Sequence, residues 1–535
     1  MCVGQAGPSE IVQGGSRVAE QLKEGDAPVS KPLSKLVLAS YAAPATPLAL
    51  VGLPMAVYLP AIYADSDGFG LALGMVGIIL TLSRFTDVIT DPIIGFLSDR
   101  LKSPWGRRKP FILIGTPIYA AGIWLLFVPP ITFSQVSWMG FEFNSGYPYL
   151  FCMVALTYLG STIKDLPYLA WGAELSRNYN ERTLVTSWRE GFAVAGSLIS
   201  AFTPALILFA GYTKPTDAVY FLSVAMCIVM PIVVLNALMV VPEYPVPIAK
   251  KKIPLKDSLK LVMANEPYVM LVIIFVFSTV GSAMTNSLSF FFVKHLLLAG
   301  DLYGLYLAPY FVSQIVAIPL WFALSRRIGK HRATMVAIGW YAFWSCFIPL
   351  VAIAPAAWFT AFGIPEMLAF LPDQQHQAVV DRFDGMDTGK FLFFVLIMCL
   401  KGSAIGALAA LPAAMAADVV DVDTATTGEQ RAGAYFSIWS MTRKASYAIG
   451  ITVGTGAAVF FGFDSLADPM NTTNTSDSLL MLACLYSIIP ALFKFVAMPL
   501  LWKYPLTEAR LAEIQLEISQ AQSGSSSSNG AVSEP

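Results

Sequence analysis

Two aspartates stand four residues apart within an apolar stretch that reads Arg84-Phe-Thr-Asp87-Val-Ile-Thr90-Asp91-Pro92. On a helix, positions i and i+4 share a face and Thr90 lies three from Asp87, so two carboxylates and a hydroxyl converge on one surface. Adjacent carboxylates repel, and one should hold a proton unless a cation sits between them. A second stretch, Thr162-Ile-Lys164-Asp165-Leu-Pro167, again places a hydroxyl three residues before a carboxylate, with a proline following. Lys444 brings an ammonium from a third apolar stretch. Oxygen ligands with no His or Cys nearby suit Na⁺ or a proton and argue against a transition metal. Na⁺ or H⁺ is therefore the expected coupling ion, with no cofactor and no metal beyond such a Na⁺. An aspartyl-protease dyad needs two elements converging on a substrate, whereas Asp87 and Asp91 share one helix, so no enzyme is expected.

These side chains stand out because charge is scarce. The 535 residues are 56% hydrophobic and only 13% charged, against about 25% charged in soluble domains, and the mean hydropathy is +0.63. Such a chain belongs in a bilayer. The net charge of −1 offers no footprint for nucleic acid. The six cysteines lie far apart, all but Cys2 in apolar stretches, which excludes a disulfide framework or a zinc knuckle.

Apolar segments of spanning length, about 20 residues each as helices, run over 36–64, 71–98, 110–130, 149–173, 187–212 and 218–241, and then over 267–293, 302–325, 333–354, 391–417, 432–462 and 478–502. The chain thus divides into an N-terminal tail (1–35), a six-helix bundle (36–241), a central loop (242–266), a second six-helix bundle (267–502) and a C-terminal tail (503–535). Lys and Arg gather after the second, sixth and eighth spans and are absent from 65–70, 131–148 and 463–477, which puts both termini in the cytoplasm by the positive-inside rule. Asn471 and Asn474 are glycosylation acceptors on an outer loop.

A charge near the bilayer centre costs at least about 2.5–3.5 kcal/mol, so the few that lie within spans mark an ion or substrate path. Asp87 and Asp165 fall at matching depths from the outer starts of their spans, and Lys444 reaches the same layer from the other half. Three carboxylates and one ammonium share this layer, an excess of negative charge that a bound cation or protons would neutralise.

Gly95-Phe-Leu-Ser-Asp99-Arg100, continuing to Gly106-Arg107-Arg108, is echoed after the eighth span by Arg326-Arg327-Ile-Gly329-Lys330. The element resembles the loop motif of the major facilitator superfamily. Together with Arg84, Asp87, Asp91, Thr162, Asp165, Arg189, Ala417-Asp418-Val-Val-Asp421 and Lys444, it makes the chain similar to the glycoside–pentoside–hexuronide:cation symporters, typified by melibiose permease, over essentially 36–502. The resemblance implies an all-α membrane protein with twelve transmembrane helices in two pseudo-symmetric six-helix bundles, the major facilitator fold. It implies a cation site at Asp87, Thr90, Asp91, Thr162 and Asp165, coupling through Lys444, and Arg189 in a sugar pocket. The same cation pattern recurs in sodium-dependent lysophospholipid symporters.

Departures bear on the substrate. Thr90 replaces the asparagine of the sodium-using permease, the first span carries no acid, and Leu169 replaces a sugar-stacking tryptophan, with Tyr168 and Trp171 adjacent as substitute ring faces. Lys164 and Lys401, buried cations, could receive an anionic group or pair with the midplane acids. Gly95, Asp99, Arg100, Gly106, Arg107, Asp418, Asp421 and Arg431 are candidates for an inner gate, with Asp418 and Asp421 facing Glu174, Arg177 or Arg182.

The expected activity is Na⁺- or H⁺-coupled symport of a small polar solute, a sugar, glycoside or uronate, by alternating access. The expected setting is a multi-pass plasma-membrane monomer whose partners are the solute and the lipid bilayer. The alternatives are a lysolipid or other amphiphile symporter of the same fold, and a membrane structural or receptor protein without transport.

Overall fold

A computed structural model describes residues 33–506, apart from 102, 139–140, 176–178, 213, 244–262, 356–357, 360–387, 409, 413–414, 417, 420–431 and 470–472. Six long helices fill the first part of the chain: α1 (Lys35–Ala64), α2 (Leu73–Arg100), α3 (Lys109–Phe127), α4 (Gly146–Glu174), α5 (Tyr179–Phe209) and α6 (Pro215–Val240). Six more follow: α7 (Glu266–Leu296), α8 (Tyr303–Ile328), α9 (Lys330–Ile353), α10 (Gly389–Pro412), α11 (Ala432–Phe460) and α12 (Ser476–Trp502).

Short polar side chains set several starts. Ser34, Asn265 and Thr475 accept the backbone N–H three residues on at 3.3, 3.2 and 3.2 Å, filling the first orphan donors of α1, α7 and α12. Ten of the helices are long and apolar enough to cross a membrane. The other two, α4 and α11, have 29 residues each, about 43 Å at 1.5 Å per residue, ample for a 30 Å core. Their lower hydropathy comes from the polar and charged side chains of the midplane. Large apolar side chains such as Ile89, Val316 and Leu320 point outward and are more than half exposed, a surface that suits hydrocarbon and not water.

Helix contacts repeat with an offset of six. In the first half α1 packs on α5 and α6, α2 on α4, and α3 on α4 and α6; in the second α7 packs on α11 and α12, α8 on α10, and α9 on α10 and α12. The halves meet through α2 with α11 and α5 with α8, pairs that exchange under the same offset. Gly77 lets α2 approach α11 so closely that an added Cβ would collide with Thr455. Gly106 (φ +99°) and Gly329 (φ +87°) turn the chain into the third helix of each half in the left-handed region that suits glycine. The echo between the two loops is thus structural.

Two features lie outside the helical expectation. A hairpin of Gln135–Trp138 and Phe141–Asn144, in register at Gln135 with Asn144, lies between α3 and α4. In mid-α1, Pro54–Tyr58 form a π-turn, a local widening of the kind found at functional positions.

Candidate functional site

The midplane layer assembles on three helices. From α11, Lys444 Nζ lies 2.6 Å from Asp91 Oδ2 and 3.3 Å from Asp87 Oδ2, both on α2. The α4 hydroxyl Thr162 Oγ1 donates to Asp91 Oδ1 at 2.8 Å. Asp87 is buried, and Arg84, one turn earlier, approaches it at 3.5 Å while its guanidinium lies 3.8 Å over the Tyr158 ring. Asp165, one turn beyond Thr162, is held by Lys164 Nζ at 2.7 Å and by Ser161 Oγ at 2.5 Å. Lys164 itself packs 4.0 Å over the Tyr119 ring.

The charge balance expected from sequence is corrected here. Arg84 and Lys164 join Lys444, so each of the three carboxylates has its own cation. Two buried oxygens of the layer, Asp87 Oδ1 and Thr90 Oγ1, nevertheless have no hydrogen-bond donor among the described residues. Buried acceptors are nearly always satisfied, and a carboxylate oxygen beside a hydroxyl one turn away offers a hard cation two ligands. A cation entering there competes with Lys444 for the same carboxylates.

At the turn between α2 and α3, Glu243, just past α6, accepts the backbone N–H of Arg107 at 2.7 Å and of Arg108 at 2.9 Å, closing the N-terminus of α3 with a carboxylate. Glu174 Oε1 receives Arg107 at 2.7 Å and Arg108 at 2.9 Å. In the second half, Asp418 binds Lys330 at 2.7 Å. Among the described residues, Asp418 thus pairs with Lys330 and Glu174 with Arg107 and Arg108, while Arg177 lies outside the described residues. Asp421 and Arg431 lie outside the described residues, as do the side chains of Asp99, Arg100 and Arg182; Gly95 lies within α2.

The opposite end of the fold carries an ion pair between the halves that sequence reasoning missed. Lys294, near the end of α7, reaches Asp65 at 2.8 Å and Asp67 at 2.6 Å in the turn after α1. Ser465 Oγ, after α11, donates to Ala64 O at 2.7 Å. With α2 joined to α11 through Thr81 Oγ1 and Ala448 O at 2.7 Å, these contacts tie the two halves together at this end. Asn474 is buried, with Nδ2 donating to Asp464 O at 2.9 Å, which leaves no room for a glycan on that side chain; Asn471 is outside the described residues.

The expected solute ligands fall elsewhere. Tyr168 stacks on Tyr41 at 4.8 Å, Trp171 meets the edge of the same ring at 6.0 Å, and both are buried. Arg189 pairs with its neighbour Glu190 at 2.5 Å. Lys401 is 0% exposed and its Nζ has no hydrogen-bond partner among the described residues, lying instead over the Tyr341 and Tyr486 rings at 4.7 and 5.2 Å. Lys494 is also buried, with Nζ donating to Ser278 O at 2.9 Å. A cavity of about 320 Å³ opens instead between α1 and the second half.

Comparison with known proteins places this architecture. A family model described as MFS/sugar transport protein matches residues 40–508. The putative glycoside/cation symporter YagG of Escherichia coli is 25% identical over 85% of this chain and 89% of its own. The sodium-dependent lysophosphatidylcholine symporter 1-A of Danio rerio is 24% identical over 81% of this chain and 79% of its own. The crystal structure of the nucleoside transporter NupG superimposes with a TM-score of 0.56 at 13% identity, covering 88% of this chain and all (100%) of that one.

Proposed function

The chain belongs to the MFS/sugar transport protein family, a multi-pass membrane transporter of the major facilitator fold, and from that premise we propose that it couples Na⁺ or H⁺ to the uptake of a small polar solute by alternating access. The observation that carries this reading is the sharing of Lys444 between Asp87 and Asp91 across the halves, beside two buried oxygens without donors among the described residues.

A cation held by Asp87, Thr90, Asp91 and Thr162 replaces the positive charge of Lys444. Released from the carboxylates, Lys444 no longer ties α11 to α2 at this level, and the two halves can rock. Asp165 belongs to the layer through Thr162 and takes its charge balance from Lys164. Bulk Coulomb attraction does not set the order of binding. Two cations cannot share one pair of acceptor oxygens at close range without mutual repulsion, so the cation and Lys444 alternate. We take the protein as a plasma-membrane monomer with both termini cytoplasmic, the orientation resting on the clustering of Lys and Arg in alternate loops.

Uptake by proteoliposomes, with Na⁺ and pH gradients imposed separately on a panel of sugars and glycosides, tests the proposal. Uptake driven by one gradient and lost in Asp91→Asn supports it. Uptake indifferent to both gradients, or unchanged coupling in Asp91→Asn, overturns it.

A further inference from the structure

Arg443 precedes Lys444 on α11 and has no hydrogen bond or ion pair among the described residues. It stands 11 residues after Ala432 and 17 before Phe460, the two ends of that helix. At 1.5 Å per residue the nearer end is about 16 Å away, too far for a guanidinium to reach by snorkelling. Nor does Arg443 face lipid. Met441 and Ile449 mark the outward face of α11, both exposed, and at 3.6 residues per turn Arg443 points about 160° from their mean direction. Arg443 is nevertheless exposed, so its guanidinium opens on an aqueous space between the helices and not on hydrocarbon.

We propose that Arg443 and Arg84 form a site for an oxyanion, a carboxylate or phosphate-type group, beside the charged layer and between the two halves. The group is carried on the solute or bound as a free ion; its coupling to the cation rests on the symport reading above.

The charge balance calls for such a group. Among the described residues, the layer holds four cations, Arg84, Lys164, Arg443 and Lys444, against three carboxylates, Asp87, Asp91 and Asp165. The surplus of one positive charge becomes two when Na⁺ or H⁺ enters. Uncompensated charge in an apolar interior is costly, and an anion beside the surplus offsets it.

The open donors are those of the two arginines. Lys164 is taken by Asp165 at 2.7 Å and Lys444 by Asp91 at 2.6 Å. Arg84 is held only loosely, with Nη1 3.5 Å from Asp87 Oδ2 and Nε without a hydrogen-bond partner among the described residues. The Tyr158 ring, 3.8 Å beneath its guanidinium, fixes the plane without using its donors. Arg84 belongs to α2 and Arg443 to α11, near enough for their charges to repel each other. Two guanidinium forks with free N–H groups grip an oxyanion as no pair of ammoniums does, because each fork matches two oxygens at once.

Asp87 is the group that opposes an anion here, since its carboxylate faces the same guanidinium. A cation held by Asp87 removes that opposition and frees Arg84, so the cation and the oxyanion favour each other.

The test uses the purified full chain in a buffer whose only oxyanion is the probe. Binding of inorganic phosphate, glucuronate and glucose is measured by calorimetry, at low and saturating Na⁺ and at two pH values. Phosphate, glucuronate or both should bind, at least about fivefold tighter with the cation present. Phosphate without glucuronate identifies a free ion, and glucuronate at least about tenfold tighter than glucose identifies a substituent of the solute; each supports the site. Arg443→Gln should weaken oxyanion binding about tenfold or more, with thermal stabilisation by the cation retained as the sign of an intact fold. Arg443→Lys should fall between, keeping the charge and losing the fork. Reciprocity adds a readout that needs no variant: where the cation binds, saturating oxyanion should tighten it by the same factor. Absence of binding by both anions, binding indifferent to Arg443→Gln, or independence of cation and oxyanion overturns the assignment. Cation-driven uptake without oxyanion binding removes this site and leaves the symport reading standing. Oxyanion binding through Arg443 without cation-driven uptake keeps the site and removes that reading.

Discussion

Lys444 on α11 and Asp91 on α2 meet at 2.6 Å across the two halves of the molecule. The contact is half-buried, and removing one partner strands the other. Asp91→Asn should abolish gradient-driven uptake and lower stability by about 1–3 kcal/mol, less than a fully buried pair because Asp87 still faces the ammonium at 3.3 Å. Lys444→Met should also end coupling, but by the opposite route. With its competitor gone, the cation should bind tighter, read as a larger thermal shift on adding Na⁺ or on lowering pH, while exchange of preloaded solute survives.

In the turn after α1, Lys294 satisfies a buried Asp65 and its neighbour Asp67. Lys294→Met leaves Asp65 without a cation, a loss of about 3–5 kcal/mol to the closed form. The equilibrium should move toward an outward-open form. A cysteine introduced at Ser289, which lines the central cavity, should then react faster with a membrane-impermeant maleimide added outside. Unchanged labelling would remove the outer clasp from the transport cycle.

At the turn between α2 and α3, an added Cβ on Gly106 would collide with Glu243 Oε2, at a backbone φ of +99°. Gly106→Ala should therefore lower stability by about 2 kcal/mol or more, combining left-handed strain with loss of the carboxylate cap. Glu243→Gln keeps an acceptor for the Arg107 and Arg108 amides and should cost about 1 kcal/mol. Thermal unfolding in detergent ranks the two, and equal values would dismiss the cap.

Lys401 is enclosed over the Tyr341 and Tyr486 rings, its Nζ without a hydrogen-bond partner among the described residues. Lys401→Met, similar in length and without the ammonium, removes a group that is expensive to keep in an apolar interior. The melting temperature should rise while solute uptake persists. Collapse of uptake would make Lys401 a solute ligand after all.

The charged layer was legible in the sequence because helical spacing alone puts Asp87, Thr90 and Asp91 on one face and sets Asp165 and Lys444 at comparable depth. Arg84 was within reach of the same arithmetic, three residues from Asp87, and Ser161 four from Asp165. What spacing does not carry is contact between helices. Nothing in the composition says that Lys294 meets Asp65, residues 229 apart in sequence, or that Tyr168 turns to Tyr41 and not to a solute. Lys294 also stood one residue beyond the predicted end of its span, where a lysine reads as a loop charge. The cavity went unread for a different reason: Asn286, Tyr310 and Gln314 are neutral, so a search for costly charges passes over them.

Glu243 sits beyond the last residue of α6, yet its carboxylate closes the start of α3. The first residues of the connector are therefore a working part of the N-terminal bundle and not slack between two bundles. For anyone dividing this transporter into two co-expressed fragments, the natural cut lies downstream of this residue. A fragment ending at Val240 would be complete in helices and still lack the plug for one of them.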